Sequence, residues 1–128
     1  MAADPAGMEE IAGEIHTALQ SPDLLGYREL LDPNVTWGAP DDSNPGCRNR
    51  DQVLAWYRRG RANGVRAIVT ETGVYGDKVL VGLNVLDARS SAQSDNSTER
   101  WQILTISDGL VADIRGFEDR SAAMSRLS

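Results

Sequence analysis

Apolar residues recur along this chain at two different spacings, and the change from one to the other divides it in half. From Met8 to Leu19 they fall at Met8, Ile11, Ile15, Ala18 and Leu19, which sets them along one stripe of an amphipathic helix of about three turns. Glu9, Glu10 and Glu14 stand towards the end of that segment where the helix dipole favours negative charge. Ser21-Pro22-Asp23 breaks the pattern, and Pro22 suits the first turn of a second helix. Leu24, Leu25, Tyr27, Leu30 and Leu31 carry this helix to Asp32-Pro33, where proline is expected to stop it. Asn34–Trp37 is short and β-prone, a first strand ending at Gly38. The stretch from Ala39 to Arg50, APDDSNPGCRNR, is a cluster of turn formers and charges, read as a loop that is either a pocket rim or lid or a plain connection. Asn49 or Asp51 can cap a third helix, with Val53, Leu54, Trp56 and Tyr57 as its apolar side until Gly60.

Beyond Asn63-Gly64 the period falls to two. Val65–Thr72 and Lys78–Leu86 are predicted strands. In the second, Val79, Val81, Leu83 and Val85 share one face while Leu80, Gly82, Asn84 and Leu86 share the other; both faces are largely apolar, so the strand is expected to be central. Asp87–Thr98 (DARSSAQSDNST) is polar and of low complexity, and is expected to be the mobile loop. Arg100–Ile106 and Leu110–Phe117 then flank Ser107-Asp108-Gly109, the strongest hairpin signal in the chain. Asp119–Leu127 closes it as a short helix or tail. No internal repeat is visible. Helices first and antiparallel strands afterwards give an α+β chain, read as a loose start over residues 1–7 and one domain over 8–128.

Composition narrows the function classes. A net charge of −6 argues against a nucleic-acid binder, which needs a basic surface to displace counterions from phosphates, and against docking on anionic lipid. Cys47 is the only cysteine, so no intrachain disulfide forms and nothing points to an oxidising compartment. The start MAADPAGMEE has neither the basic end nor the apolar core of a signal peptide, and no long apolar run follows; a cytoplasmic location is the expectation. Asn34-Val35-Thr36 and Asn96-Ser97-Thr98 match a glycosylation sequon and are read as chance without a secretory signal.

Three groups of residues carry a likeness to a known family: Leu30-Leu31-Asp32-Pro33-Asn34-Val35-Thr36-Trp37, in the manner of a lower helix followed by D-x-x-V-x-W; Arg48-Asn49-Arg50-Asp51-Gln52-Val53, in the manner of G-R-D-x-I; and Ser107-Asp108-Gly109-Leu110-Val111 with Arg115-Gly116-Phe117-Glu118-Asp119, in the manner of D-G-K-I and R-D-Y-F-D. In that order and spacing the chain resembles the nuclear transport factor 2-like superfamily, in particular its SnoaL-like branch, over about Met8 to Ala123. The resemblance implies a cone, or α+β barrel: a curved antiparallel sheet wrapped around three helices of the N-terminal half, with an internal cavity and often a dimer through the outer face of the sheet. The family includes isomerases, hydrolases, cyclases, dehydratases and transport adaptors, so the fold does not deliver a function.

Alternation in the strands places the family's catalytic positions on this chain. Where steroid-isomerase-like members carry a carboxylate base, a tyrosine and a protonated acid, this chain has Trp37, Ile15 and Gln102, and an indole and an alkyl chain take no proton. The Arg-x-Asp pair and final Asp of epoxide-hydrolase-like members fall on Leu83 and Val85, or on Asn84 after a slip of one, and on Gly116; the cyclase-like acid also falls on Gly116.

The expected lining is therefore Trp37, Trp56, Gln102, Ile15, Arg100 and Gly116. Trp37 is an aromatic wall or core packing, Trp56 is read as core, and Gln102 can donate and accept one orienting hydrogen bond or sit at the rim. Arg100 and Glu118 are expected to pair across the hairpin. His16, the chain's one histidine, and Glu118 are the weak catalytic candidates. Cys47 lies beside Arg48 and Arg50, which would activate a thiolate, although no base accompanies it. Asp41-Asp42 is a thin cation site, and no metal or other cofactor is expected. Trp101, Ile103, Thr105, Arg115 and Phe117, with Asp113, share the other face of the hairpin; a row this apolar is expected to be buried in a homodimer. The reading is a binder of a small hydrophobic molecule, with two rivals: an isomerase-, cyclase- or dehydratase-like enzyme with an unusual acid–base set, and a protein-interaction module using the outer sheet face.

Overall fold

The computed structural model describes residues 5–21, 24–86 and 97–127. Most of the expected Asp87–Thr98 loop, the sequon residue Asn96 and the helix-starting Pro22 lie outside the described residues. In order the elements are α1 (Pro5–Gln20), α2 (Leu25–Leu30), β1 (Leu31–Gly38), α3 (Arg50–Ala62), β2 (Arg66–Tyr75), β3 (Lys78–Leu86), β4 (Ser97–Ser107), β5 (Leu110–Phe117) and α4 (Arg120–Leu127).

The hairpin of β4 and β5 forms where the Asp-Gly turn placed it. Asp108 (φ 52°) and Gly109 (φ 79°) both take the left-handed conformation that matches the twist of the flanking strands. From this hairpin the sheet grows outwards in the order β1-β5-β4-β3-β2. The pairs β2–β3, β3–β4 and β4–β5 are antiparallel; β3 is an interior strand with a neighbour on each side, as its two apolar faces suggest, while β4 is the middle one. β1 departs from the antiparallel expectation: it lies parallel to β5, with Trp37 opposite Ile114. No hairpin ties the two strands, since α3 and three strands intervene, so nothing local forces them to oppose. Register shifts at Val69/Glu71 and Thr105/Ile106 bend the sheet around the helices.

The second helix is shorter than its periodicity suggests. It ends at Leu30, Leu31 is already extended (φ −92°, ψ 134°), and β1 runs through Pro33. Proline excludes Asp32 from the helical region and has no N–H to donate, both of which suit the edge strand that β1 is. The third helix starts at Asn49, whose side chain accepts from the Gln52 amide at 2.9 Å while Gln52 Oε1 accepts from the Arg48 amide at 2.7 Å. These bonds make a shifted form of the reciprocal capping box.

Burial divides by face. The concave side holds Val79, Val81, Leu104 and Ile114 of the sheet against Met8, Ile15 and Leu19 of α1, Tyr27 of α2, and Val53 and Leu54 of α3. The convex side holds Leu80, Trp101, Ile103 and Phe117, covered by Ala123, Met124 and Leu127 of α4. That cover corrects the expected dimer face. Trp101, Ile103, Thr105, Arg115 and Phe117 do lie on the side of the sheet opposite Gln102, but Trp101 is 4% exposed, Ile103 3% and Phe117 7%, because the chain lays its own last helix over them. Arg115 is engaged beside that patch, donating to the Asp113 carboxylate and to the carbonyls of Ala39 and Asp42. No helix among the described residues is long and apolar enough to cross a membrane.

Candidate functional site

The helices do not fill the concave side completely. Between α3 and the open ends of β3, β4 and β5 lies a cavity of about 550 Å³, within the range of small-molecule sites. Its walls are mainly apolar: Leu19, Trp37, Trp56, Val65, Leu83 and Val85.

One wall is a run of aromatic rings. Trp56 meets Trp37 edge to face at 6.2 Å, Trp37 stacks on Tyr57 at 5.1 Å and 26°, and Tyr57 meets Tyr27 edge to face at 5.5 Å. The series passes from solvent to core, since Trp56 is 56% exposed and Tyr27 is fully buried. Trp37 is fixed from behind: its amide donates to the Cys47 carbonyl at 2.9 Å, and the Cys47 amide donates back at 3.2 Å. Trp56, expected both as lining and as core, stands at the cavity mouth and not in the core. Val53 and Leu54 define the inner stripe of α3, and Tyr57, three and four positions on, shares it, whereas Trp56 falls on its flank. Tyr57 is thus the cavity residue that the sequence reading treats only as core, and the same spacing identifies it.

Opposite this wall sits Gln102, 6% exposed and the one buried polar side chain among the described residues. Its Nε2 donates to the Tyr57 hydroxyl at 3.3 Å, and its Oε1 is buried without a partner. Rotating the amide by half a turn would present a donor instead of an acceptor, so this group can hold either kind of polar atom. Burial raises the Tyr57 pKa, against the opposing pull of the Gln102 hydrogen bond and of Arg61, and burial raises that of Tyr27 further. Both phenols remain protonated near neutrality. The Tyr27 hydroxyl is buried without a hydrogen-bond partner of ordinary geometry. Gly116 is paired directly with Gln102 across the sheet, and a Cβ there would meet nothing within 4 Å. The glycine therefore leaves part of the space open.

The other residues singled out in the sequence lie at the rim or away from the cavity. Arg100 of β4 and Glu118, just past the end of β5, border it, but no ion pair joins them among the described residues; both are exposed to water, where such a pair gains little. Ile15 is not on the lining; it is fully buried in the core. His16, the next residue on α1, is exposed and is not part of the lining. The Cys47 thiol packs against the core, and burial pushes its pKa up, opposite to the activation expected from the neighbouring arginines. The 39–49 loop does not rim this cavity. Arg115 holds Ala39 and Asp42, and Arg126 holds the Pro40 carbonyl and the Asp41 carboxylate, which fastens the loop to the convex side. Asp42 is also occupied, accepting from the Asn44 amide at 2.9 Å. Among the described residues no three of His, Cys, Asp and Glu gather where a metal would sit.

Known proteins share this architecture at the level of structure. No family model and no curated protein matches the sequence. Solved structures do match. A candidate ketosteroid isomerase from Kribbella flavida DSM 17836 superposes with a TM-score of 0.70 at 18% identity, over 90% of this chain and 79% of that one. A candidate SnoaL-like polyketide cyclase from Jannaschia sp. CCS1 gives 0.68 at 19% identity, over 100% and 97%. A nuclear transport factor 2-like protein of unknown function from Cytophaga hutchinsonii ATCC 33406 gives 0.67 at 10% identity, over 91% and 94%. At such identities the likeness is one of backbone course, and on it the chain has the nuclear transport factor 2-like α+β fold.

Proposed function

We propose that this protein binds a small, largely apolar molecule in the cavity beneath α3, with Gln102 as its polar anchor. The observation that carries this reading is the unpartnered Oε1 of Gln102 in a cavity otherwise walled by Trp37, Tyr57, Leu83 and Val85. A buried acceptor without a partner costs stability, of order 1–3 kcal/mol. A guest with one hydroxyl or N–H would remove that cost, while its apolar body would gain from leaving water.

Glu118 is the only carboxylate among the described lining residues, and it is exposed at the mouth. The deep part of the cavity therefore supplies hydrogen bonds and shape but no general base, which favours binding over proton transfer. An isomerase- or cyclase-type catalyst is the second reading. It is favoured by the protonated Tyr57, whose hydroxyl accepts from Gln102 and keeps its own proton to donate to a developing oxyanion, and by the kinds of protein that share the fold. Conversion of a bound guest, and not its retention, would decide for it.

Gly116→Leu tests the cavity directly. A Cβ there would meet nothing within 4 Å, and replacing a glycine restricts the unfolded chain, which by itself favours folding by about 0.4–1 kcal/mol. Binding of the uncharged fluorophore phenylnaphthylamine, followed by its emission, should fall at least tenfold in this variant. Undiminished binding by the folded variant would place the guest elsewhere.

A further inference from the structure

The chain is acidic overall, with 19 Asp and Glu against 13 Lys and Arg. The cavity is not. Its described lining includes Arg59, Arg61 and Arg100 against the single carboxylate of Glu118, with Tyr57 the only other titratable side chain. The three arginines come from two sides: Arg59 and Arg61 from the last turn of α3, Arg100 from β4 across the opening.

They are not equivalent. Arg61 is built into the scaffold, its guanidinium donating to the Ser21 carbonyl at 2.8 Å and the Leu19 carbonyl at 3.3 Å, where it ties α3 to the end of α1. Arg59 and Arg100 have exposed side chains and no ion pair among the described residues. Two guanidinium forks on facing walls, above an apolar hollow, concentrate positive potential at the mouth of a molecule whose net charge is negative. A guanidinium donates two parallel hydrogen bonds to a planar or tetrahedral oxyanion, a geometry that a neutral guest would not use.

We infer that the natural guest is an amphiphile: an apolar body seated under Trp37 and Tyr57, and one anionic head, a carboxylate or an equivalent oxyanion, held at the mouth by Arg59 and Arg100. The inference rests on the binding function proposed above and adds a sign of charge to it. Glu118, on the same rim, opposes the head and sets a limit on affinity.

The test pairs two fluorescent probes that share a skeleton, anilinonaphthalene sulfonate, which carries the anion, and phenylnaphthylamine, which does not. At low ionic strength the double variant Arg59→Gln, Arg100→Gln should bind the sulfonate roughly fivefold more weakly and the uncharged probe as before. Glu118→Gln should move the sulfonate the other way, by about twofold. Added salt should weaken the sulfonate alone. All three substitutions are at exposed positions, and circular dichroism checks that the fold is kept. If the uncharged probe binds the wild type while the sulfonate ignores both sets of substitutions, the charge assignment is overturned and the pocket stands. The charge assignment is equally overturned if both probes weaken together, since the arginines then act by packing alone. If neither probe binds the wild type, the pocket reading itself fails and this inference with it.

Discussion

Two strand glycines on opposite faces of the sheet show how much one missing side chain decides. At Gly82 an added Cβ would lie 2.6 Å from the Trp101 ring and 3.0 Å from Thr70 Oγ1. The indole needs that space, because it lies against the sheet beneath Arg120, whose guanidinium carbon stands 5.9 Å from the ring. Gly82→Ala should therefore cost about 1–3 kcal/mol through overpacking, read as a lower urea midpoint at unchanged slope. At Gly116 the space is empty, and filling it should cost binding without costing stability. Strand alternation makes part of this legible, since it sets Gln102 and Gly116 on one face and Trp101 and Ile103 on the other. It gives no sign of depth. The core-like neighbours of Trp56, Val53 and Tyr57, suggest a buried ring, yet position on the helix, not the character of neighbours, decides which ring is covered.

Among the elements, α4 changes the picture most. The row Trp101, Ile103, Phe117 demands a cover, and a second copy of the chain and the chain's own tail meet that demand equally well. The segment RSAAMSRL gives little to choose between them: its apolar stripe is only Ala123, Met124 and Leu127. What fixes it in place is polar: a local cap and two arginine contacts distant in sequence. Asp119 caps it through the Ala122 amide at 2.7 Å, Arg120 forks onto Glu71 at 3.0–3.3 Å, and Arg126 reaches the Pro40 carbonyl. The cover is imperfect, for the Trp101 indole N–H is buried without an acceptor. Ending the chain after Asp119 should bare the row, and sedimentation velocity should then show larger species for the shortened chain than for the full one. Equal sedimentation of the two would mean that α4 does not shield this face. The second helix shows a similar limit of sequence reading: Leu30 and Leu31 extend its stripe, but Leu31 is drawn into β1, where it pairs with Val111.

At the scale of the molecule, a curved sheet closes over two phenols and leaves a cavity open beneath α3. Tyr57 and Tyr27 both have pKa values raised by burial, Tyr27 well above its ordinary value, while in the unfolded chain a tyrosine ionises near pH 10. The folded state thus holds these protons more tightly. Stability from this source is fully present below about pH 10 and is lost as pH rises from there through the folded values. Thermal melts should be insensitive to these groups near neutrality and fall steeply in alkali, with a shallower fall in Tyr57→Phe. The fold itself is legible because each part of the sequence agrees on it: helical spacing first, period two afterwards, and Asp-Gly at the hairpin. The ligand is not, because a lining of Trp, Leu, Val and one buried amide, with arginines at the mouth, sets size and polarity but names no molecule.

If a guest lies between the aromatic wall and Gln102, the side-chain N–H resonances of the protein report on it directly. In a titration with phenylnaphthylamine followed by heteronuclear nuclear magnetic resonance, the indole N–H signals of Trp37 and Trp56 and the amide pair of Gln102 should shift together to one saturation point. Shifts confined to surface residues away from the lining, or a Gln102 amide that stays fixed while the probe saturates, would contradict a guest at this site.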